Sequence, residues 1–370
     1  MSTRQDQHTE RPERPEDTER PGRPRGVALL FPGQGAQQPR MAVGLYRADP
    51  SFAARVDRVL ALWGAEGRAI RRDWLSDAPR IPLDDLRRAQ PLLFAVDWAL
   101  GRTVLDWGVR PDALLGHSVG EVAAAVLAGV LTLEDAAALM ADRVRHLAAA
   151  PPGGMLAVAA PVAELEPLLG PDVVVGAVNG PRQVVLAGAE APLAATEAEL
   201  RRRGLSCRRA RTVSAFHSPV VARAAALSLS ALQTTLLRPP HLPLHSGYTA
   251  GLLTDDQAVD PTFWAGQPAA PVLFGPALDR LLTAGPLLLV EAGPAQGLTM
   301  LAKRHPAVAS GRSAAVAMLP ARPADGDAEP DAVRAVWRAL AEQGRLQGLS
   351  STIPAAAASV GGSTGTRGAP

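Results

Sequence analysis

Gly116-His117-Ser118-Val119-Gly120-Glu121 lies between the apolar run Ala113-Leu114-Leu115 and an alanine-rich stretch over residues 122–128. That order reads as buried strand, sharp turn and helix, so the chain needs a sheet with helices packed on it. A G-x-S-x-G turn drives its serine into a strained backbone and projects the hydroxyl above the sheet. The helix that follows aims its first N–H groups and its positive dipole end at the same point, where an oxyanion would develop. Glycines at 116 and 120 let neighbouring backbone come close without a Cβ in the way. Ser118 is read as a nucleophile, and the rest of the chain is searched for its partners.

With 370 residues, 47% of them hydrophobic, the chain can bury one large core or two modest ones. A net charge of +2 gives no global pull toward nucleic acid or a membrane surface. No apolar run approaches membrane-spanning length, and the N-terminus lacks the hydrophobic segment of a signal peptide. The single cysteine, Cys207, excludes an internal disulfide and fits a reducing cytoplasm.

Residues 1–25 carry six acidic and six basic residues and almost nothing apolar, and residues 349–370 are rich in Ala, Ser, Gly and Thr. Neither can bury enough surface to offset its ordering entropy, so both are expected to be disordered tails. Between them, strands are expected near 27–31, 242–246 and 287–291, and helices over 50–63, 91–107, from Thr132, and 331–343. Pro151-Pro152-Gly153-Gly154 breaks the pattern. Beyond it, strands near 155–159, 173–178, 183–187 and 205–213 alternate with helices over 162–169 and 191–203, as in a ferredoxin-like unit. The division expected is a large α/β domain from residues 26–150 and 214–348, with a small ferredoxin-like subdomain inserted over 151–213.

Of the seven histidines, His217 in Ser214-Ala215-Phe216-His217-Ser218-Pro219 falls at a strand-to-helix junction where the chain re-enters the large domain. This singles it out as the base, against the alternative of a satisfied core histidine. On the helix opened by Thr132 the apolar positions are Leu133, Ala136, Ala137, Met140, Val144 and Leu147. Arg143 falls three after Met140 and four before Leu147, on the inward stripe. An inward guanidinium needs an anion, either a substrate carboxylate gripped by two parallel hydrogen bonds or an internal acid such as Glu121. Six arginines between residues 201 and 211 are read as a solvated face, with docking of an acidic protein or a phosphate as the sharper alternative.

Phe31-Pro32-Gly33-Gln34-Gly35, the Ser118 elbow, Ala215-Phe216-His217-Ser218-Pro219 and Glu291-Ala292-Gly293-Pro294 occur in that order. Together they resemble the malonyl-CoA:acyl-carrier-protein transacylase family, the acyltransferases of fatty-acid and polyketide synthesis. The resemblance implies an α/β hydrolase-like large domain with a ferredoxin-like small subdomain and the site between them. It implies Ser118 as the acylated residue, His217 as its base, and the backbone N–H groups of Gln34 and Val119 as the oxyanion hole. It makes Arg143 the partner of the substrate carboxylate and Gln267 the residue whose main-chain carbonyl orients the base. Asn179 resembles a small-subdomain asparagine facing the site. Phe216 beside the base goes with malonyl over methylmalonyl, although Ser214 stands where a histidine is common. The partners implied are a CoA thioester and an acyl carrier protein, with no metal, no cofactor beyond malonyl-CoA as substrate, no nucleic acid and no membrane. A free-standing cytoplasmic enzyme acting in trans is expected. Transfer of another acyl group between carriers, a serine thioesterase or hydrolase, and a non-catalytic module remain as alternatives.

Overall fold

The computed structural model describes residues 25–323 and 326–346. The two tails expected at 1–25 and 349–370 lie outside the described residues, apart from Arg25.

Ten strands form two sheets. The large sheet contains β1 (Gly26–Phe31), β2 (Ala113–Gly116), β7 (Leu244–Ser246), β8 (Gly251–Leu252), β9 (Leu287–Glu291) and β10 (Ala314–Ala317), in the order β10-β9-β1-β2-β7-β8. All neighbours are parallel except β7 and β8. Buried on both faces, β1 sends Val27, Leu29 and Phe31 into one apolar core and Ala28 and Leu30 into another. This is why it reads as an unbroken hydrophobic run rather than an alternating one.

The small sheet has β3 (Gly153–Val158), β4 (Val173–Gly180), β5 (Gln183–Ala189) and β6 (Cys207–Arg209), all antiparallel, in the order β4-β5-β3-β6. With helices Val162–Leu165 and Glu190–Arg202 in the crossovers, this is the ferredoxin-like β-α-β-β-α-β arrangement. Its core is separate: Leu156, Val158, Leu165, Leu186, Leu193 and Leu200 close over one face of the sheet.

The helix expected at 91–107 instead runs Leu86–Asp106, capped by Asp85, with Pro91 inside it. A proline there forfeits one main-chain hydrogen bond. Nearly every residue from Leu86 to Thr103 is buried, and that packing outweighs the loss. The terminal helix Ala328–Glu342 is tied down by Glu329, whose carboxylate accepts from the amides of Ala42 (2.7 Å) and Leu45 (2.9 Å).

One buried acid has no such partner. Asp97 is fully buried, and neither carboxylate oxygen accepts a hydrogen bond from the described residues. Burial, and then the nearby Glu291, push its carboxyl well above the usual range. Below that range both folded and unfolded chains hold the proton. As pH rises the unfolded chain ionises while the folded one cannot, so stability falls until the raised pKa is passed. Asp97→Asn keeps the shape and removes this liability. Its stability relative to wild type should be greater at pH 8 than at pH 5. Thermal melts at the two pH values check this; a gain that does not grow with pH would show that Asp97 is ionised in the native protein.

Candidate active site

Because β1 and β2 are parallel neighbours, the loops after both emerge side by side at the carboxyl edge of the sheet, where α/β proteins place ligands. The His117 amide donates to the Phe31 carbonyl at 2.8 Å, clamping the two loops together. The approach is close enough that a Cβ at Gly33 would lie 2.4 Å from the His117 carbonyl oxygen. One at Gly120 would lie 2.2 Å from that of Phe31. Ser118 itself has φ of +53°, a left-handed conformation that a serine adopts only when its surroundings impose it.

Ser118 Oγ is 2.8 Å from Nε2 of His217, across 99 residues of sequence. His217, also left-handed at φ +62°, is held by its amide, which donates to the Pro268 carbonyl at 2.7 Å. Its Nδ1 lies 2.9 Å from the carbonyl of Ala270. A carbonyl only accepts, so Nδ1 carries the proton and Nε2 is left to accept from the Ser118 hydroxyl. Burial pulls the imidazole down to about 4, aided by the nearby His117 and opposed by the Ala270 and Gln267 carbonyls.

The base-orienting carbonyl is expected on Gln267; that carbonyl does act on the ring, but the hydrogen bond at 2.9 Å goes to Ala270, which shares the role. Gln267–Ala269 is a 3-10 turn, in which positions three apart share a side. The Gln267 carbonyl accepts from the Ala270 amide at 3.2 Å as well as acting on His217, and the turn brings the Ala270 carbonyl to the same ring. The Gln267 side chain serves elsewhere: its Oε1 accepts from Arg143 Nη2 (3.3 Å) and its Nε2 donates to Glu121 (3.2 Å).

Thr132 caps helix Leu133–Leu147 by accepting from the Asp135 amide, and Leu133, Ala136, Ala137, Met140, Arg143 and Leu147 are buried along its inner side. Arg143 therefore faces inward, 5% exposed, as its spacing requires. Its Nη2 also donates to the Trp264 carbonyl, while Nε is buried with no partner among the described residues. Burial pulls the guanidinium down to about 10, against the pull of Tyr248, Glu121 and Asp142, so it stays charged at neutral pH.

No ion pair with Glu121 forms. That fully buried carboxyl accepts from Ser246 Oγ (2.7 Å) and the Gly247 amide (3.0 Å), and burial raises it to about 8.

Ser118, Val119, Arg143, Phe216 and His217 line one narrow hollow of about 20 Å³ together with Gln90, Leu147, Tyr248, Gln267 and Pro268. The amides of Gln34 and Val119, on the two clamped loops, donate to no other group among the described residues. The Gln34 side chain bends away to accept from Gln90 Nε2 at 3.0 Å.

Asn179 is not part of this lining. Its Oδ1 lies 2.8 Å from His117 Nε2, and it borders a separate cleft of about 850 Å³ between the β4–β5 turn and helix Phe274–Thr283. Four of the six arginines in the run at 201–211 are ion-paired on the surface. Arg201, Arg202, Arg203 and Arg209 are bound to Glu190, Glu197 and Glu199.

Gln90 and Tyr248 escaped the sequence reading. The signal available for Tyr248 was its place just past the carboxyl end of a parallel strand. Gln90, near the start of helix Leu86–Asp106, carried none.

A serine elbow at the carboxyl edge of a mixed α/β sheet, bonded to a histidine from beside a small subdomain, is the architecture of the serine-elbow α/β class. The chain belongs to the acyl transferase domain family, whose model matches residues 28–336. It is 39% identical over 280 residues to a component of the phenolphthiocerol/phthiocerol polyketide synthase of Mycobacterium tuberculosis, covering 76% of this chain and 19% of that protein. It is 35% identical over 302 residues to the spectinabilin polyketide synthase system protein NorB of Streptomyces orinoci, covering 78% and 14%. The chain thus spans a fifth or less of the length of these curated relatives. Among solved structures, the acyltransferase domain from the second module of the salinomycin polyketide synthase superposes with a TM-score of 0.75 at 35% identity. That match covers 83% of this chain and 71% of the other. FabD from Acinetobacter baumannii superposes at 0.73 with 26% identity, covering 85% and 98%. No described helix is long and apolar enough to cross a membrane.

Proposed function

We propose that the chain is an acyltransferase that moves a malonyl group from CoA to the phosphopantetheine thiol of an acyl carrier protein, in polyketide or fatty-acid assembly. The observation that carries this is Arg143: a buried guanidinium without a carboxylate partner among the described residues, in the same small hollow as the Ser118–His217 pair. A buried cation is tolerated when an anion completes it, and a planar fork matches a carboxylate. Two features support the reading: the relatives are polyketide synthases, and SpnD, a neighbour at TM-score 0.77, was solved with a substituted malonyl compound.

Ser118 Oγ attacks the thioester carbonyl while its proton passes to His217 Nε2. The oxyanion is taken up by the Gln34 and Val119 amides. Collapse breaks the C–S bond, and His217 returns the proton to the departing CoA sulfur. The carrier thiol then gives its proton to His217 and attacks the Ser118 ester, and the serine recovers the proton as it leaves. A carbonyl behind the imidazole, in place of a carboxylate, steadies the ring without a fixed negative charge. This sets the site apart from the Ser-His-acid triad of most elbow hydrolases. No metal enters this scheme.

Mixing the protein with malonyl-CoA should give a malonyl-enzyme by intact mass, discharged by a phosphopantetheinylated carrier protein. Release of free malonate at the same rate without a carrier would make the protein a hydrolase and overturn the proposal.

A further inference from the structure

We infer that Tyr248 forms the wall beside the substrate's α-carbon and restricts the site to an unbranched malonyl unit. This rests on the reading above and adds a residue to it. The acyl group must stretch from Ser118, which holds the thioester carbon, to Arg143, which holds the far carboxylate. The α-carbon lies between them.

Tyr248 lines the hollow that these two residues share. Phe216, beside the base, is a second aromatic in the same lining. At about 20 Å³ the hollow is far narrower than ordinary ligand pockets, which run from roughly 300 to 1,000 Å³. An acyl group threaded between Ser118 and Arg143 therefore passes close to the two rings, where an added branch would meet them.

The ring is not free to swing away. It packs edge-on against Phe263 (6.3 Å between centroids, 89°) and lies 6.1 Å from the His217 ring. Its amide donates to Ser246 Oγ at 3.0 Å, and that hydroxyl in turn donates to Glu121. A wall fixed in this way rejects an added methyl by overlap rather than by lost attraction.

The test is a competition. Equimolar malonyl-CoA and methylmalonyl-CoA are offered to wild type, Tyr248→Phe, Tyr248→Leu and Tyr248→Ala, and the two acyl-enzymes are read by intact mass. Wild type and Tyr248→Phe, which keeps the ring, should carry malonyl. Tyr248→Ala should move the ratio toward methylmalonyl by about tenfold or more, the range a single methyl commands in a fitted pocket. Tyr248→Leu should move it in the same direction and decides the matter if the alanine variant does not fold.

Acyl-enzymes that form with an unchanged ratio would overturn the wall. So would a ratio shifted equally by Tyr248→Phe, which would assign selection to the hydroxyl. A wild type that takes up no malonyl at all would instead sink the proposed function.

Discussion

Ser118→Ala should leave no acyl-enzyme at all, and His217→Ala should slow its formation by about four to six orders of magnitude. The two expectations have different physical origins. Ser118→Ala removes the oxygen held 2.8 Å from the basic nitrogen of His217. At 217 the hydroxyl remains but must attack with its proton on, and a serine hydroxyl is a weak nucleophile in that state.

The imidazole also sets the pH dependence. Burial holds it at about 4, so at neutrality Nε2 is unprotonated and ready to accept. Activity requires the neutral ring, so it is retained above the lowered pKa and lost as pH falls through it. Acylation should therefore be flat from pH 7 down to about pH 5 and decline only below that. Rapid-quench mass measurements of the acyl-enzyme across this range are the check. An acidic limb near the ordinary histidine value would mean that the ring is solvated and not held as described.

The parts of the site that could be read from sequence are those whose constraint is local. The elbow declares itself because strand, turn and helix follow one another directly, with glycines where backbone must pass close to backbone. Arg143 is legible because 3.6-residue periodicity assigns each position on a helix a side, and its neighbours at 140 and 147 are apolar. The ferredoxin-like unit shows itself as alternating short strands and helices after a Pro-Gly break.

What escaped is set by tertiary geometry. Behind His217 the Ala270 carbonyl joins that of Gln267, and a main-chain carbonyl carries no residue signature; only the 3-10 turn brings Ala270 to the same side as Gln267. Asn179 sits in an Asn-Gly pair with no mark of its partner, and its bond to His117 exists because β4 packs beside the elbow. Pro91 is a local signal for a helix start at 91, and burial of nearly the whole helix Leu86–Asp106 overrules it.

Arg143→Ala should cut the specificity for malonyl-CoA by about two to four orders of magnitude while affecting acetyl-CoA far less, so that the preference between them collapses. Two charge-assisted hydrogen bonds to a desolvated carboxylate are each worth about 1.5–3 kcal/mol, which sets the scale of the loss. The residue is already positioned without substrate: Nη2 is bonded to the Trp264 carbonyl and to Gln267, whose own amide is fixed by Glu121. Its position therefore adds no ordering cost when the carboxylate arrives, and an acetyl group, lacking that carboxylate, gains nothing from it. Arg143→Lys should recover only part of the loss, since an ammonium keeps the charge but cannot present two parallel donors. The measurement is acyl-enzyme formation from malonyl-CoA and acetyl-CoA in parallel for the three proteins. A preference that survives the alanine substitution would remove Arg143 from the carboxylate and return it to the role of a structural cation.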